Sequence, residues 1–254
     1  MITRKPVVAI LAVVVVLFAT IFAAGCTGSA SNTLVVATNA EFQPYEFFDY
    51  GKIVGIDIEI METVAKELGK TVKIENMEFD NVITAIASGK ADIAAAGLTV
   101  TEDRKENVDF TQAYVSTKQV IIVNKTATRK IINGADDLAG AIIGVQLGTT
   151  GDTLISDYKG NNIDIKIERY NKITEAFQSL NQNKIDAVVI DEQPAIKYSA
   201  ISDNLVILKE EFALKNYAFA IKKGNTDLLN KVNAALDKLK ADGTIDAIIE
   251  KYIN

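Results

Sequence analysis

The sequence predicts an α/β fold built from two related units. Short apolar runs rich in β-branched residues alternate along the chain with segments whose apolar residues recur at helical spacing. Glycines stand at the ends of several of those helical segments. A helix–turn–strand junction also occurs twice in similar form, as Gly89-Lys90-Ala91-Asp92 and as Asn183-Lys184-Ile185-Asp186, each leading into an apolar strand.

Leu34–Thr38 is an apolar, β-branched run and predicts a buried strand. A turn-like stretch rich in aromatic residues follows, from Asn39 to Tyr50. Asp57 is placed to cap a helix whose apolar positions Met61, Val64, Ala65 and Leu68 share one face, and Gly69 ends it. Val72–Ile74 predicts a strand. Asp80 is placed to cap a helix carrying Ile83, Ile86 and Ala87, closed by Gly89. Asp92–Ala96 predicts a strand that runs into a loop at Gly97. Thr101 has the character of an N-cap, with Glu102 and Asp103 in the first turn where the helix dipole favours acids. Gln119–Val123, Ile142–Val145, Ile163–Ile167, Asp186–Ile190 and Ala218–Ile221 predict further strands. Helices are expected after Gly148–Gly151, over Thr174–Leu180, over an amphipathic segment from Leu228 to Leu239, and over Thr244–Ile253.

Composition removes many chemistries. The 254 residues include no His, which excludes His metal sites, His general bases and Ser-His-Asp triads. A single Cys excludes internal disulfides and Cys-cluster metal centres. No metal or cofactor is expected. A net charge of −6 argues against general affinity for nucleic acid or anionic lipid.

The first residues form a targeting segment. Arg4 and Lys5 precede an apolar run from Pro6 to Gly25, broken only by Thr20. Small residues Ala23-Ala24-Gly25 then lead directly to Cys26, the one cysteine. This resembles the lipobox of secreted lipoproteins, with Ala23 where Leu is usual, and implies cleavage before Cys26 and lipidation of its thiol. A run of about 20 residues also has the length of a retained transmembrane helix. Under either reading the body lies outside the cytoplasm, tethered through the polar segment Thr27–Thr33.

In open α/β sheets, ligands bind in loops beyond the carboxyl ends of the strands. Four such loops carry complementary chemistry: Asn39–Tyr45, Gly97–Arg104, Gln146–Gly151 and Asp191–Gln193. Arg104 offers a planar fork for a carboxylate. Backbone N–H groups near Gly97 and Thr99, the Thr99 hydroxyl and the helix start at Thr101 can donate to the same group. Asp191 can accept from an ammonium, or instead cap the helix after it. A carboxylate and an ammonium together describe an α-amino acid.

These residues lie in motifs that resemble a known family: Leu34–Phe47, Gly55–Glu59, Phe79-Asp80, Ser88–Asp92, Gly97–Arg104 followed by Val108–Tyr114, Gly144–Gly151 and Asp186–Asp191. The sequence from about Thr33 to Asn254 resembles the amino-acid-binding members of extracellular solute-binding protein family 3, the receptors of polar-amino-acid ABC importers. The resemblance implies a two-lobed periplasmic-binding-protein fold of type II. Lobe 1 would be 33–113 plus 217–254 and lobe 2 would be 118–212, joined by hinge strands at 112–118 and 213–217, after a signal peptide over 1–25 and a tether over 26–32.

The resemblance also implies roles. Arg104, Thr99 and Gly97 would hold the ligand carboxylate with Thr149 or Thr150, and Asp191 and Gly97 would hold its ammonium. Asn39, Glu41, Phe42, Phe79, Leu98 and Gln146 would line the side-chain pocket, with the two phenylalanines sandwiching the side chain. Many members carry Asp where this chain has Asn39, so an uncharged polar side chain such as glutamine's is favoured over a cationic one. The implied partners are the amino acid, permease subunits and, through the lipid, the membrane, with the protein itself a monomer. Two rival functions share the fold: a dehydratase for prephenate-like acids, which would need Asp191, Glu41 or Glu192 as acid or base, and a ligand sensor fused to an output segment.

Overall fold

Val36, Ala37 and Thr38 are completely buried, which an apolar run achieves as an interior strand covered on both faces. The computed structural model describes residues 32–253 apart from 128, 162 and 213. The targeting segment and Cys26 lie outside the described residues. In the first sheet β1 (Thr33–Thr38) runs parallel to β5 (Thr71–Asn76) on one side and to β6 (Ile93–Ala94) on the other. β15 (Ala220–Lys222) then pairs antiparallel with both β6 and β7 (Val108–Phe110), giving the order β5-β1-β6-β15-β7.

The second sheet repeats that plan. β10 (Ile142–Gln146) lies between parallel β11 (Lys166–Tyr170) and β12 (Ala187–Asp191). β9 (Gln119–Asn124) pairs antiparallel with β12 and with β13 (Leu205–Glu211), giving β11-β10-β12-β9-β13. Two strands lie in the passages between the sheets, β8 (Val115–Thr117) and β14 (Lys215–Tyr217), and pair antiparallel with each other.

The repeated junction is repeated in geometry. Asp92 accepts the Val35 N–H at 2.8 Å through its carboxylate, and Asp186 accepts the Ile142 N–H at 2.7 Å. Each also donates its own backbone N–H to the carbonyl of that same residue, both at 2.8 Å. Gly89 and Asn183 both take left-handed backbone, with φ of 76° and 54°. The likeness between the two tetrapeptides therefore encodes one device used twice: a left-handed turn that delivers a carboxylate to a backbone N–H in the first half of the neighbouring strand.

α1 (Ile56–Glu67) buries Met61, Val64 and Ala65 against the first sheet, with Gly69 just past its end at φ 65°. α2 (Val82–Ser88) covers the other face through Val82, Ala85 and Ile86. α3 (Glu102–Lys105) is one turn, capped as expected by Thr101, whose hydroxyl accepts the Arg104 N–H at 3.2 Å. α4 (Thr150–Gly160), α5 (Ile173–Asn181) and α6 (Glu192–Ala200) serve the second sheet, and α7 (Thr226–Ala241) and α8 (Thr244–Ile253) return to the first.

Several expectations are corrected. Asn39–Tyr50 is not simply a turn: it holds β2 (Glu41–Phe42) and β3 (Glu46–Asp49), which join β4 (Lys52–Val54) in an antiparallel meander. These strands are too short for an alternation to register. Asp57 does not cap α1. The helix already begins at Ile56, and Gly55 is the N-cap at φ 132°, where an added Cβ would lie 2.2 Å from the Tyr45 carbonyl oxygen. Asp57 itself is completely buried. Asp80 sits within a 3₁₀ turn over Phe79–Asn81 rather than at the cap of α2. The strand expected at Ile163–Ile167 runs over Lys166–Tyr170.

Candidate functional site

Arg104 is positioned by α3, the shortest α-helix among the described residues. The Thr101 cap turns α3 so that Arg104 reaches back over its own loop. Nη1 donates to the Thr99 carbonyl at 2.8 Å and Nη2 to the Gly148 carbonyl, which belongs to the second sheet's loop, at 3.0 Å. The guanidinium lies 5.5 Å from the Phe79 ring centroid. Burial brings its pKa down to about 10, against the pull of nearby Asp191, so the group stays cationic at neutral pH.

Asp191 approaches from the end of β12. It occupies the N-cap position of α6, yet its side chain makes no capping bond. Of its two possible roles, capping is therefore excluded. The carboxyl is buried, and among the described residues Oδ1 has no hydrogen-bond partner. Burial pushes its pKa up to about 6, while the polar side chains of Tyr217 and Gln119, the Arg104 charge and Thr117 pull the other way. A buried carboxylate with an unmet acceptor is costly unless a cation completes it.

A narrow crevice joins these groups. It is lined by Phe42, Phe79, Gly97, Thr99, Arg104, Gln146, Thr149, Thr150 and Asp191. Nine residues expected from sequence thus meet in one place, drawn from the carboxyl ends of parallel strands in both sheets. Thr99 forms an isolated bridge with Tyr217, and the flanking bonds run from Val100 N–H to Asn216 O and from Ala218 N–H to Leu98 O. That pattern leaves the Thr99 N–H facing away from the Tyr217 strand. Thr150 Oγ1 accepts from Gln119 Nε2 at 3.1 Å, which leaves the hydroxyl hydrogen to donate. The first N–H groups of α4 have no partner within the helix.

Not every expected residue serves as foreseen. The Gly97 N–H is engaged by Asp57 Oδ2 at 2.9 Å, so it does not donate to a ligand carboxylate, and its carbonyl remains for an ammonium. The Thr149 hydroxyl donates to the Gln146 carbonyl at 2.8 Å and caps α4 by accepting the Asp152 N–H at 3.2 Å. Leu98 is core, packed with Val82, Val108 and Ala220. Glu41 lies outside the crevice, its carboxylate taken by Lys172 Nζ at 3.1 Å and Thr174 Oγ1 at 3.0 Å. Asn39 stands behind Gln146, whose Nε2 donates to Asn39 Oδ1 at 2.9 Å, while Asn39 Nδ2 donates to the Met77 carbonyl at 2.8 Å.

Sequence reasoning did not find Gln119, Tyr114, Glu46 or the second role of Asp57. The Gly55–Glu59 motif was the available signal for Asp57. The Phe42 ring lies across Gly97, so a Cβ there would meet it at 2.7 Å, and Gly97 holds φ 52°. Beyond Arg104 a larger cavity of about 410 Å³ opens between Asp103, Thr153, Asp157 and Lys215. It shares Arg104 and Thr150 with the crevice but lacks Asp191, so the complementary pair of charges lies in the crevice.

Two α/β units facing one crevice, with an arginine on one rim and a buried carboxylate on the other, define a two-lobed ligand trap. The chain belongs to the bacterial extracellular solute-binding proteins, family 3, whose model matches residues 34–254. A probable histidine-binding protein of Neisseria gonorrhoeae is 33% identical, covering 85% of this chain and 81% of its own. An ancestral arginine-binding protein bound to arginine is 39% identical with a TM-score of 0.83, covering 88% of this chain and 99% of that one. The same kind of protein bound to glutamine is 40% identical with a TM-score of 0.81, covering 87% and 97%. The fold is the type II periplasmic-binding-protein fold.

Proposed function

We propose that this protein captures a polar L-amino acid between its lobes and delivers it to the permease of an ABC importer. The observation that carries the reading is the buried Asp191 carboxyl, whose Oδ1 lacks a hydrogen-bond partner among the described residues, lining one crevice with Arg104. Arg104, the Thr99 N–H and the start of α4 with Thr150 take the α-carboxylate. Asp191 and the Gly97 carbonyl take the α-ammonium. Phe42 and Phe79 flank the side chain, and the Asn39–Gln146 amide pair stands at its far end. The lobes are 33–113 plus 217–254 and 118–212, with hinges at 112–118 and 213–217. Cys26 carries the lipid that tethers a monomeric receptor to the outer face of the membrane; mass spectrometry of the membrane fraction checks this, and an unmodified Met1 terminus excludes it.

A neutral amide pair favours an uncharged polar side chain such as glutamine's. Arginine is the second reading, because a neighbour of 39% identity is arginine-bound. Calorimetry on ligand-stripped protein with glutamine, arginine, lysine and histidine decides. Glutamine is expected to bind tightest. Arginine or lysine binding more than tenfold tighter overturns the amide argument, and no binding of any amino acid overturns the function.

A further inference from the structure

Behind the crevice lies a second acidic centre that the amino-acid site does not use directly. Asp57 and Glu46 are both completely buried. Asp57 Oδ2 accepts the Gly97 N–H at 2.9 Å and Oδ1 accepts the Tyr114 hydroxyl at 2.5 Å. Among the described residues neither Glu46 carboxyl oxygen meets a well-aligned hydrogen-bond partner, yet the carboxyl stands beside that of Asp57, where a proton on Glu46 favours the Asp57 charge. Donors to Asp57 stabilise its charged form, whereas nothing stabilises a charge on Glu46. Two buried carboxyls sharing a site do not both ionise.

The surrounding titratable groups are neutral or anionic. Tyr45, Tyr114 and Asp191 face the pair, from the loop before β3, the approach to β8 and the end of β12, and Tyr217 of β14 packs against the two tyrosine rings. None is cationic. Burial, then the charges of Asp57 and Asp191, push the Glu46 carboxyl well above the usual range. Burial pushes Asp57 up to about 7, against the Tyr114 and Gly97 hydrogen bonds.

We propose that Asp57 is a positioning residue for the amino-acid site, ionised and holding the Gly97 peptide, with Glu46 protonated against it as a neutral partner. This rests on the reading of the crevice given above. Gly97 has left-handed backbone, lies under the Phe42 ring and leads into the Leu98–Thr99 strip. A peptide so placed has few ways to be held, and the Asp57 carboxylate supplies a charge-assisted one. The Gly55–Glu59 motif brings Asp57 there: Gly55 lets the Asp57 N–H dock on the Tyr45 carbonyl at 3.0 Å, which aims the side chain inward.

The experiment compares Asp57→Asn with Glu46→Gln by calorimetry, using L-glutamine and L-arginine as probes, with the Gly97 amide followed by NMR. Glu46→Gln copies the protonated acid and is expected to bind within about threefold of wild type. Asp57→Asn is expected to weaken binding more than tenfold and to shift the Gly97 amide resonance upfield. Asp57→Asn binding within tenfold, or Glu46→Gln losing as much as Asp57→Asn, overturns the proposal. Should a variant not fold, carboxyl carbon shifts of the wild-type protein at pH 8, above the Asp57 value of about 7, decide: a neutral Glu46 beside an ionised Asp57 supports the pair, and any other combination refutes it. If wild type binds no amino acid, the function fails instead, and the carboxyl shifts still test the pair.

Discussion

Asp191 is held in a place that costs stability. Its pKa is about 6 in the folded protein against 3.8 for an ordinary aspartate. Above about pH 6 the fold carries a desolvated carboxylate, and the cost vanishes as pH falls toward 3.8. Each pKa unit corresponds to about 1.36 kcal/mol, so the cost at pH 7 is on the order of 2–3 kcal/mol. Asp191→Asn is therefore expected to raise the stability of the ligand-free protein at pH 7 by up to that amount and to change it little near pH 4, read by urea denaturation at both values. The same variant is expected to weaken α-amino acids far more than the matching carboxylic acids that lack the amine. Arg104 is the complementary case. Arg104→Ala is expected to cost roughly 2–5 kcal/mol of binding, as for one partner of a desolvated charge pair. Arg104→Lys should also lose affinity, because Nη1 and Nη2 reach two different carbonyls, one in each sheet's loop system, and one ammonium cannot copy the fork. Unchanged affinity in calorimetry would make Arg104 a bystander. At this scale the sequence disclosed residue types better than their partners. Arg104 and Asp191 stood out because an arginine at a helix start and an aspartate after an apolar strand are sparse signals with few uses. Glu46 and Tyr114 were silent, because burial comes from contacts remote in sequence.

Elements were legible where one local device decided them. Helical spacing fixed the buried faces of α1 and α7, and glycine with positive φ fixed the ends after α1 and α2. Elements that depend on docking were not legible. β2 has two residues, and β13 pairs with β9 across a register break between Ile207 and Glu211. The junction of Asp92 and Asp186 shows how much one side chain contributes to an element. Both clamp the first half of a parallel strand, but Asp186 also receives Arg129 Nε at 3.1 Å and its side chain is 2% exposed. Replacing Asp186 with Ala leaves the Ile142 N–H without its carboxylate, at a cost of about 1–3 kcal/mol. Asp92→Ala should cost less, since Asp92 is half-buried. Equal midpoints for the two variants in urea denaturation would mean that the shared turn, not the carboxylate, holds the strand.

Over residues 32–253 the two lobes are drawn together, and the bonds that join them are specific. Gln146 donates to Asn39, Arg104 donates to the Gly148 carbonyl, and the Tyr198 hydroxyl donates to the Glu41 carbonyl at 3.0 Å. The Glu41 carboxylate meets Lys172 and Thr174 at the start of α5, where the helix dipole adds to the attraction. A binding protein of this architecture closes by a hinge, so affinity is the product of contacts made and the fraction of molecules able to close. Glu41 touches no expected ligand atom, since it lies outside the crevice. Glu41→Gln removes the ion pair while keeping the shape. It is expected to weaken ligand binding by roughly two- to tenfold, because a fall in the closed fraction lowers apparent affinity by that same factor. Without ligand, the variant should show a larger radius of gyration in solution scattering. Lys172 is half-exposed, so added salt should weaken wild type toward the variant and leave the variant nearly unchanged. If Glu41→Gln binds as wild type does at low salt, or if both lose affinity equally as salt rises, closure does not depend on this pair.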